Sequence, residues 1–422
     1  MAHKTVTAYQ SAAIFFSSVI AAAATFAISV IAAYFLSHSE FRQFQSAFWP
    51  LVFGIYGITG AIQQETTRAV GSNLIDQAFA LEKRKNELSY LVIVLLLGAC
   101  IAALVLITSP LWASAFPYYQ HISVCLVALG VMIYAVYAAV SGASAGWNSW
   151  YLYSALGGGE ALMRLAATLA AVVLSWHLLG FETAVVVASL IWVPCVVFSR
   201  TGRRVWHASI DVSSRRYARN IVMLMLSSAG ASILMTAFPF FLQFTTQDQS
   251  AQFNALVAAI GVTRSPIMMP LQAFQGVAIS AFLKHQEHPM RALARPCFWI
   301  LGIGSFGALL AYLIGPFLFD IFYPKYSGLA PGTMLAVLTF ESAIIALLVL
   351  AGNLVIALKM HLLYMAGWIC AMVMTLLLLQ IPMDTAGRTE LALGVAPMSG
   401  FSVMCAGILV SQCRKKSNVH AI

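Results

Sequence analysis

The chain has 422 residues, 61% of them hydrophobic and only 9% charged, with a mean hydropathy of +0.87 and a net charge of +9. A soluble domain carries about 25% charged residues, so water is not the main solvent of this chain. Apolar runs of roughly 20 residues recur along its length, which membrane helices require and the alternating ten-residue strands of an outer-membrane barrel do not show.

The first ten residues are polar with one lysine, and the apolar run over 11–36 is too long for a cleavable signal, whose apolar core has about 7–15 residues. It reads as the first span. Further spans follow at 44–67, 88–109, 121–141, 150–174, 183–199, 219–243, 250–283, 297–319, 331–352, 360–381 and 391–412. The chain is therefore expected to be an all-α polytopic membrane protein with twelve transmembrane helices. The span at 250–283 is long enough to require tilt, a kink or an extension beyond the bilayer. The seven cysteines fall singly and mostly within spans, with no CxxC or Cys/His spacing, so neither a metal nor another cofactor is expected.

Basic loop residues orient the spans. With the N-terminus in the cytoplasm, eighteen of the 23 lysines and arginines fall on the cytoplasmic side, against Arg42, Lys325 and Arg388 outside. Both termini are expected inside, with the positive charge facing anionic inner-leaflet lipid. Basic residues that sit almost all in juxtamembrane loops give no support to a nucleic-acid partner. The midpoint segment "RTGRRVWHASIDVSSRRYARN" reads as a basic linker at 200–218, joining an N-lobe at 1–199 to a C-lobe at 219–422, with six helices in each lobe.

The two halves repeat. At an offset of 204 residues, "FRQFQSAFWPLVFGIYGITG" (41–60) lies over "TTQDQSAQFNALVAAIGVTR" (245–264) without a gap. Gln45, Ser46 and Ala47 match Gln249, Ser250 and Ala251, and Gly57 and Thr59 match Gly261 and Thr263. Six plus six helices make a parallel repeat. Such halves rock against each other to give alternating access, with the substrate at their interface.

Ionisable residues inside spans are expensive and mark functional positions. In "GGGEALMRLAA", Glu160 and Arg164 stand at i, i+4 on one helix face, as an internal pair or a site, with Gly157, Gly158 and Gly159 before them to loosen the helix or admit a neighbour. Glu341 in "VLTFESAIIA" lies near mid-membrane, either paired with Arg264 across helices or titrating as a coupling site. Glu65 and Arg68 in "QQETTRAVG" read as an interfacial pair, with Arg68 also able to meet an anionic head group. Arg264 in "TRSPIMMP" has no acid nearby in sequence, and Pro266 and Pro270 are expected to kink the helix and turn carbonyls toward a cavity. A guanidinium fork matches phosphate oxygens, so Arg264 is a candidate anion site, with a packing ion pair to Glu341 as the alternative.

The stretch "FRQFQSAFWPLVFGIYGITGAIQQETTRAVG" (41–71), the six-plus-six layout and the repeat resemble the multidrug/oligosaccharidyl-lipid/polysaccharide (MOP) flippase superfamily, and within it the bacterial Wzx-type polysaccharide flippases. The resemblance implies a V-shaped monomer whose spans 1, 2, 7 and 8 line a central cavity. Cationic residues there would hold a polyprenyl phosphate or pyrophosphate while its sugar crosses, with Arg264, Arg68 and Arg164 as the candidates here. A glycosyltransferase or polysaccharide assembly proteins would then be partners.

Other readings fit less well. A drug or cation antiporter of the same superfamily would favour an acid-rich aromatic cavity. A major-facilitator carrier lacks its motif in the loop after span 2. A polyprenyl-phosphate-sugar glycosyltransferase needs a carboxylate base, and the first outer loop offers only Glu40, so enzymatic activity is not expected. A non-transporting scaffold is the remaining alternative.

Overall fold

Helix is the only way for a backbone in hydrocarbon to satisfy its own N–H and C=O groups short of a closed barrel, and the computed structural model follows that rule. It describes residues 8–78, 89–246, 250–273, 282, 289–358 and 360–420. Among these residues every regular element is helical.

The chain forms two units, one up to Ser232 and the other from Ile233 onward. In the first unit, α1 (Ala8–Phe35) is followed by a short α2 (His38–Arg42), a π-helical turn over Gln43–Phe48 and the long α3 (Trp49–Ala78). Then come α4 (Tyr90–Trp112), α5 (Gln120–Gly146), α6 (Trp150–Val173), α7 (His177–Ala188), α8 (Trp192–Phe198), α9 (Arg200–Trp206) and α10 (Ser214–Ser232). The second unit opens with a π-helical turn over Ile233–Ala237, continued by α11 (Phe238–Thr245). It goes on through α12 (Ala251–Ala273), α13 (Pro289–Phe322), α14 (Gly332–Ala357), α15 (His361–Leu378) and α16 (Thr385–His420).

Nine helices among the described residues are long and apolar enough to cross a membrane, and 362–378 is a shorter apolar helix. The remaining expected spans, 44–67 and 250–283, fall on α3 and α12, which carry Glu65 and Arg68, and Asn254 and Arg264. The part of the second span beyond Ala273 lies outside the described residues, apart from Phe282.

Each unit is built around one helix. In the first, α5 packs on α3, α4, α6 and α7, and its run of small residues permits the contact with α3. A Cβ at Gly142 would collide with the Gln63 carbonyl, and Thr67 Oγ1 donates to the Gly142 carbonyl at 3.1 Å. In the second unit α14 is the buried axis, with Ile345, Ala346, Leu348, Ala351 and Leu354 shielded and α12, α13, α15 and α16 around it.

The sequence places the end of the first half at residue 199, whereas the first unit runs to Ser232. Its reason is packing. α9 sits against α8 and α5, and α10 lies along α3, so the midpoint linker is folded onto the first unit rather than slung from it.

Thr59 and Thr263, matched in the repeat, both bond one helical turn back, as other helical threonines of the chain do. Thr59 Oγ1 donates to the Ile55 carbonyl at 3.0 Å, and Thr263 Oγ1 donates to the Ala259 carbonyl at 2.8 Å. The two threonines and the two acceptors are each 204 residues apart.

Candidate functional site

Among the described residues, two arginines are buried within helices, one in each unit. Arg164, on α6, is 3% exposed and pairs through Nη2 with Glu160 Oε2 at 3.2 Å, one helical turn away. Its guanidinium lies over two rings of α3, 5.2 Å from the centroid of Trp49 and 4.8 Å from that of Phe53. These contacts use one face and one nitrogen. Nε and Nη1 are buried with no hydrogen-bond partner. An unpaired donor on a charged group in a dry environment is costly, and these two nitrogens could donate to an anionic oxygen brought to them.

The rings under Arg164 belong to a ladder. Phe181 meets Phe44 edge-on, Phe44 meets Trp49, Trp49 stacks on Phe53 at 4.6 Å, and Phe53 meets Tyr56, which stacks on Tyr134 at 3.8 Å. Trp49 and Phe53 are only half-buried. A cation over half-open aromatic faces is an arrangement suited to a polar ligand carrying a negative group.

Arg264, on α12, is also buried, and its Nη1 donates to backbone. Nη1 reaches the carbonyls of Met235 at 2.8 Å and Leu234 at 3.3 Å. Those carbonyls lie four and five residues before Pro239, which has no N–H to return in either the α or the π register. Arg264 replaces the missing donor, and Phe238 covers the guanidinium at 5.9 Å.

Glu341, on α14, lines the same crevice as Arg264, together with Ile260, Thr263, Leu338, Ser342, Ile345 and Leu393. The crevice has no room for a water molecule. No ion pair joins the two groups, and Glu341 Oε2 is buried without a hydrogen-bond partner. The cross-helix packing pair that the sequence allows is therefore not made.

Arg68 is fully engaged. Nε and Nη2 donate to Glu65 at 2.9 and 2.7 Å, while Nη1 and Nη2 donate to Asp211 at 2.9 and 3.2 Å. Asn220 Nδ2 donates to Glu65 Oε1 at 2.8 Å. The pair expected from sequence is present, and Asp211 from the linker completes it.

The three glycines of α6 do not interrupt the helix. A Cβ would meet Ser17 of α1 at Gly158 and Ile191 at Gly159, both near 3.1–3.2 Å, and nothing within 4 Å at Gly157. They admit neighbours. Pro266 and Pro270 lie inside α12, which continues through them to Ala273. Their side chains fall outside the described residues.

One buried carboxylate escapes the sequence reading. Glu182 on α7 is fully buried, accepting from Ser123 Oγ at 2.6 Å and Gln43 Nε2 at 3.0 Å. Gln43 also bonds the backbone of Tyr118 in both directions, at 2.9 Å each. The expected span began at 183, which left this residue in a loop. Moving the boundary back to the apolar run that starts at His177 would have exposed the signal.

These two all-helical units define a fold that other proteins share. A MATE-family multidrug resistance transporter of the MOP superfamily in its inward-facing conformation matches at a TM-score of 0.67 and 12% identity, over 93% of this chain and 95% of that one. The lipid II flippase MurJ in an inward closed conformation matches at a TM-score of 0.68 and 12% identity, over 95% and 87%. A MOP superfamily transporter from Pyrococcus furiosus matches at 0.65 and 14% identity. The fold is that of the MOP superfamily, in a multi-pass membrane protein.

By sequence, the chain is 31% identical to the uncharacterized protein Rv1510 of Mycobacterium tuberculosis over 394 residues, which is 93% of this chain and 90% of that protein. It is 30% identical over 380 residues to the uncharacterized protein Mb3654 of Mycobacterium bovis, covering 90% and 87%. The chain belongs to the family that these mycobacterial proteins represent. No family model matches it.

Proposed function

We propose that the protein is a transporter that moves a polyprenyl-(pyro)phosphate-linked sugar or oligosaccharide from the inner to the outer leaflet, by alternating access, for cell-envelope polysaccharide synthesis. The observation that carries this reading is Arg164, a buried guanidinium with Nε and Nη1 unpaired above the rings of Trp49 and Phe53. Phosphate oxygens match those donors, and sugars pack on aromatic faces. The MOP fold, shared with a lipid II flippase, supports the same direction. Among the three candidate arginines, we assign the phosphate role to Arg164, because Arg68 is held by two carboxylates and Arg264 already donates to backbone through Nη1.

Proteoliposomes loaded with fluorescent polyprenyl-phosphate sugars test it. Replacing both partners, Arg164→Met with Glu160→Leu, removes the fork without stranding a charge. Flipping should fall at least roughly tenfold, the loss of one charge-assisted hydrogen bond. Wild-type flipping by that variant would refute the phosphate role.

A second reading has its own support. An ion-coupled drug or small-molecule antiporter of the same superfamily would use an aromatic ladder for a cationic ligand and Glu341, buried and unpaired at Oε2, for the coupling ion. Proton-driven uptake of a cationic dye, lost in Glu341→Gln, with no sugar-lipid flipping, would establish it instead.

A further inference from the structure

The linker arginines are not spread along a loose tether. α9 is clamped along one face to the first unit. Ser199 Oγ accepts from the Gly202 backbone N–H at 3.2 Å, and Gly202 lies so close to α8 that a Cβ there would collide with the Cys195 carbonyl. The carbonyl of the buried Val205 accepts from Tyr90 Oη at 2.9 Å, and Trp206 stacks on Trp192 with centroids 5.3 Å apart. Beyond α9 the chain is tied again, where the Asp211 backbone N–H donates to the Ala69 carbonyl at 3.2 Å.

What this clamp leaves outward is cationic. Arg200, Arg203, Arg204 and His207 are all exposed, and with Trp147 at the end of α5 they line one open cleft of about 550 Å³. Arg203 gives one donor to the Val197 carbonyl at 2.7 Å. None of the three arginines pairs with a carboxylate among the described residues, and Asp211 is held by Arg68. Three like charges fixed on a rigid turn repel one another unless an anion lies between them. Trp147, partly exposed, supplies an apolar wall, and indole rings favour the head-group level of a bilayer. The positive-inside rule puts this face toward the inner leaflet.

We infer that this cleft binds the phosphodiester head group of an anionic phospholipid, with the arginine forks on the phosphate and Trp147 against the glycerol and upper acyl chain. The bound lipid fastens the midpoint linker to the inner leaflet, whatever the protein transports. A soluble phosphate would fill the charge but leave the indole wall without a partner.

The test uses the full chain purified in detergent with equimolar phosphatidylglycerol and phosphatidylcholine, with retained lipid counted by native mass spectrometry. The wild type should retain phosphatidylglycerol in excess. Arg200→Gln/Arg203→Gln/Arg204→Gln should lower that excess about fivefold per arginine removed. The equally charged control Arg215→Gln/Arg216→Gln/Arg219→Gln, exposed on α10, should keep it. Arg200→Lys/Arg203→Lys/Arg204→Lys, which preserves charge, should restore most of it and guards against a folding defect. Unchanged selectivity in the glutamine variant, equal loss in the control, or no recovery with lysine would overturn the site. Displacement of the lipid by inorganic pyrophosphate at equal concentration would overturn the lipid assignment in favour of a soluble anion.

Discussion

Arg164 and Arg264 are the same side chain, both buried, one in each unit, and they differ in what their donors meet. Arg264 donates to the carbonyls of Met235 and Leu234, one of which loses its helical donor to Pro239. Arg164 has a carboxylate on one side, two rings beneath, and donors with nothing to bond. Burial of a charge inside a membrane span identifies a position of consequence. Arg264 donates to backbone through Nη1, whereas Arg164 keeps Nε and Nη1 unpaired, which is why the proposed phosphate role falls to it.

The largest effect should come from Arg164→Ala, which strands Glu160 in a dry site. Breaking one partner of a buried pair costs about 3–5 kcal/mol, read as a drop in the thermal unfolding midpoint in detergent. Arg164→Met with Glu160→Leu should be close to neutral in the same scan while losing flipping. If the double variant is as unstable as the single one, the pair is part of the frame and the contrast with Arg264 disappears.

Arg264→Ala should cost about 2–3 kcal/mol, the value of a charge-assisted hydrogen bond plus an orphaned acceptor. The contrast sharpens with a second change. Pro239→Ala restores an N–H to the turn, so Arg264→Ala/Pro239→Ala should recover part of the lost stability. An additive or worse double variant would show that Arg264 holds something other than the Leu234 and Met235 carbonyls.

Glu182→Ala should cost about 1–3 kcal/mol by leaving Ser123 and Gln43 without their shared acceptor, with Glu182→Gln milder because an amide oxygen still accepts. The smallest change is expected from Asp211→Ala, about 0.5–1 kcal/mol, because Arg68 is 43% exposed and keeps Glu65. A loss as large as that of Arg164→Ala would mean that the docked linker, rather than the buried arginine, governs the first unit.

Much of the fold was legible. An all-helical membrane chain and the Glu160–Arg164 and Glu65–Arg68 pairs follow from hydropathy and local spacing, because one helical turn is enough to bring those groups together. Glu182 was missed for a local reason too, a span boundary drawn six residues late. The roles of Arg264 and Asp211 were not legible, since their partners lie about 30 and 143 residues away in sequence.

By itself, then, the sequence determined the solvent, the helices, the internal repeat and which charges had to be accounted for, because hydropathy and i, i+3 or i, i+4 spacing are properties of short segments. Tertiary structure alone decided the partners that lie beyond one helical turn. Hydrogen-bond donors act over about 3 Å, and only folding brings the π-turn before Pro239 to Arg264, the linker to Arg68, and the rings of α3 beneath Arg164.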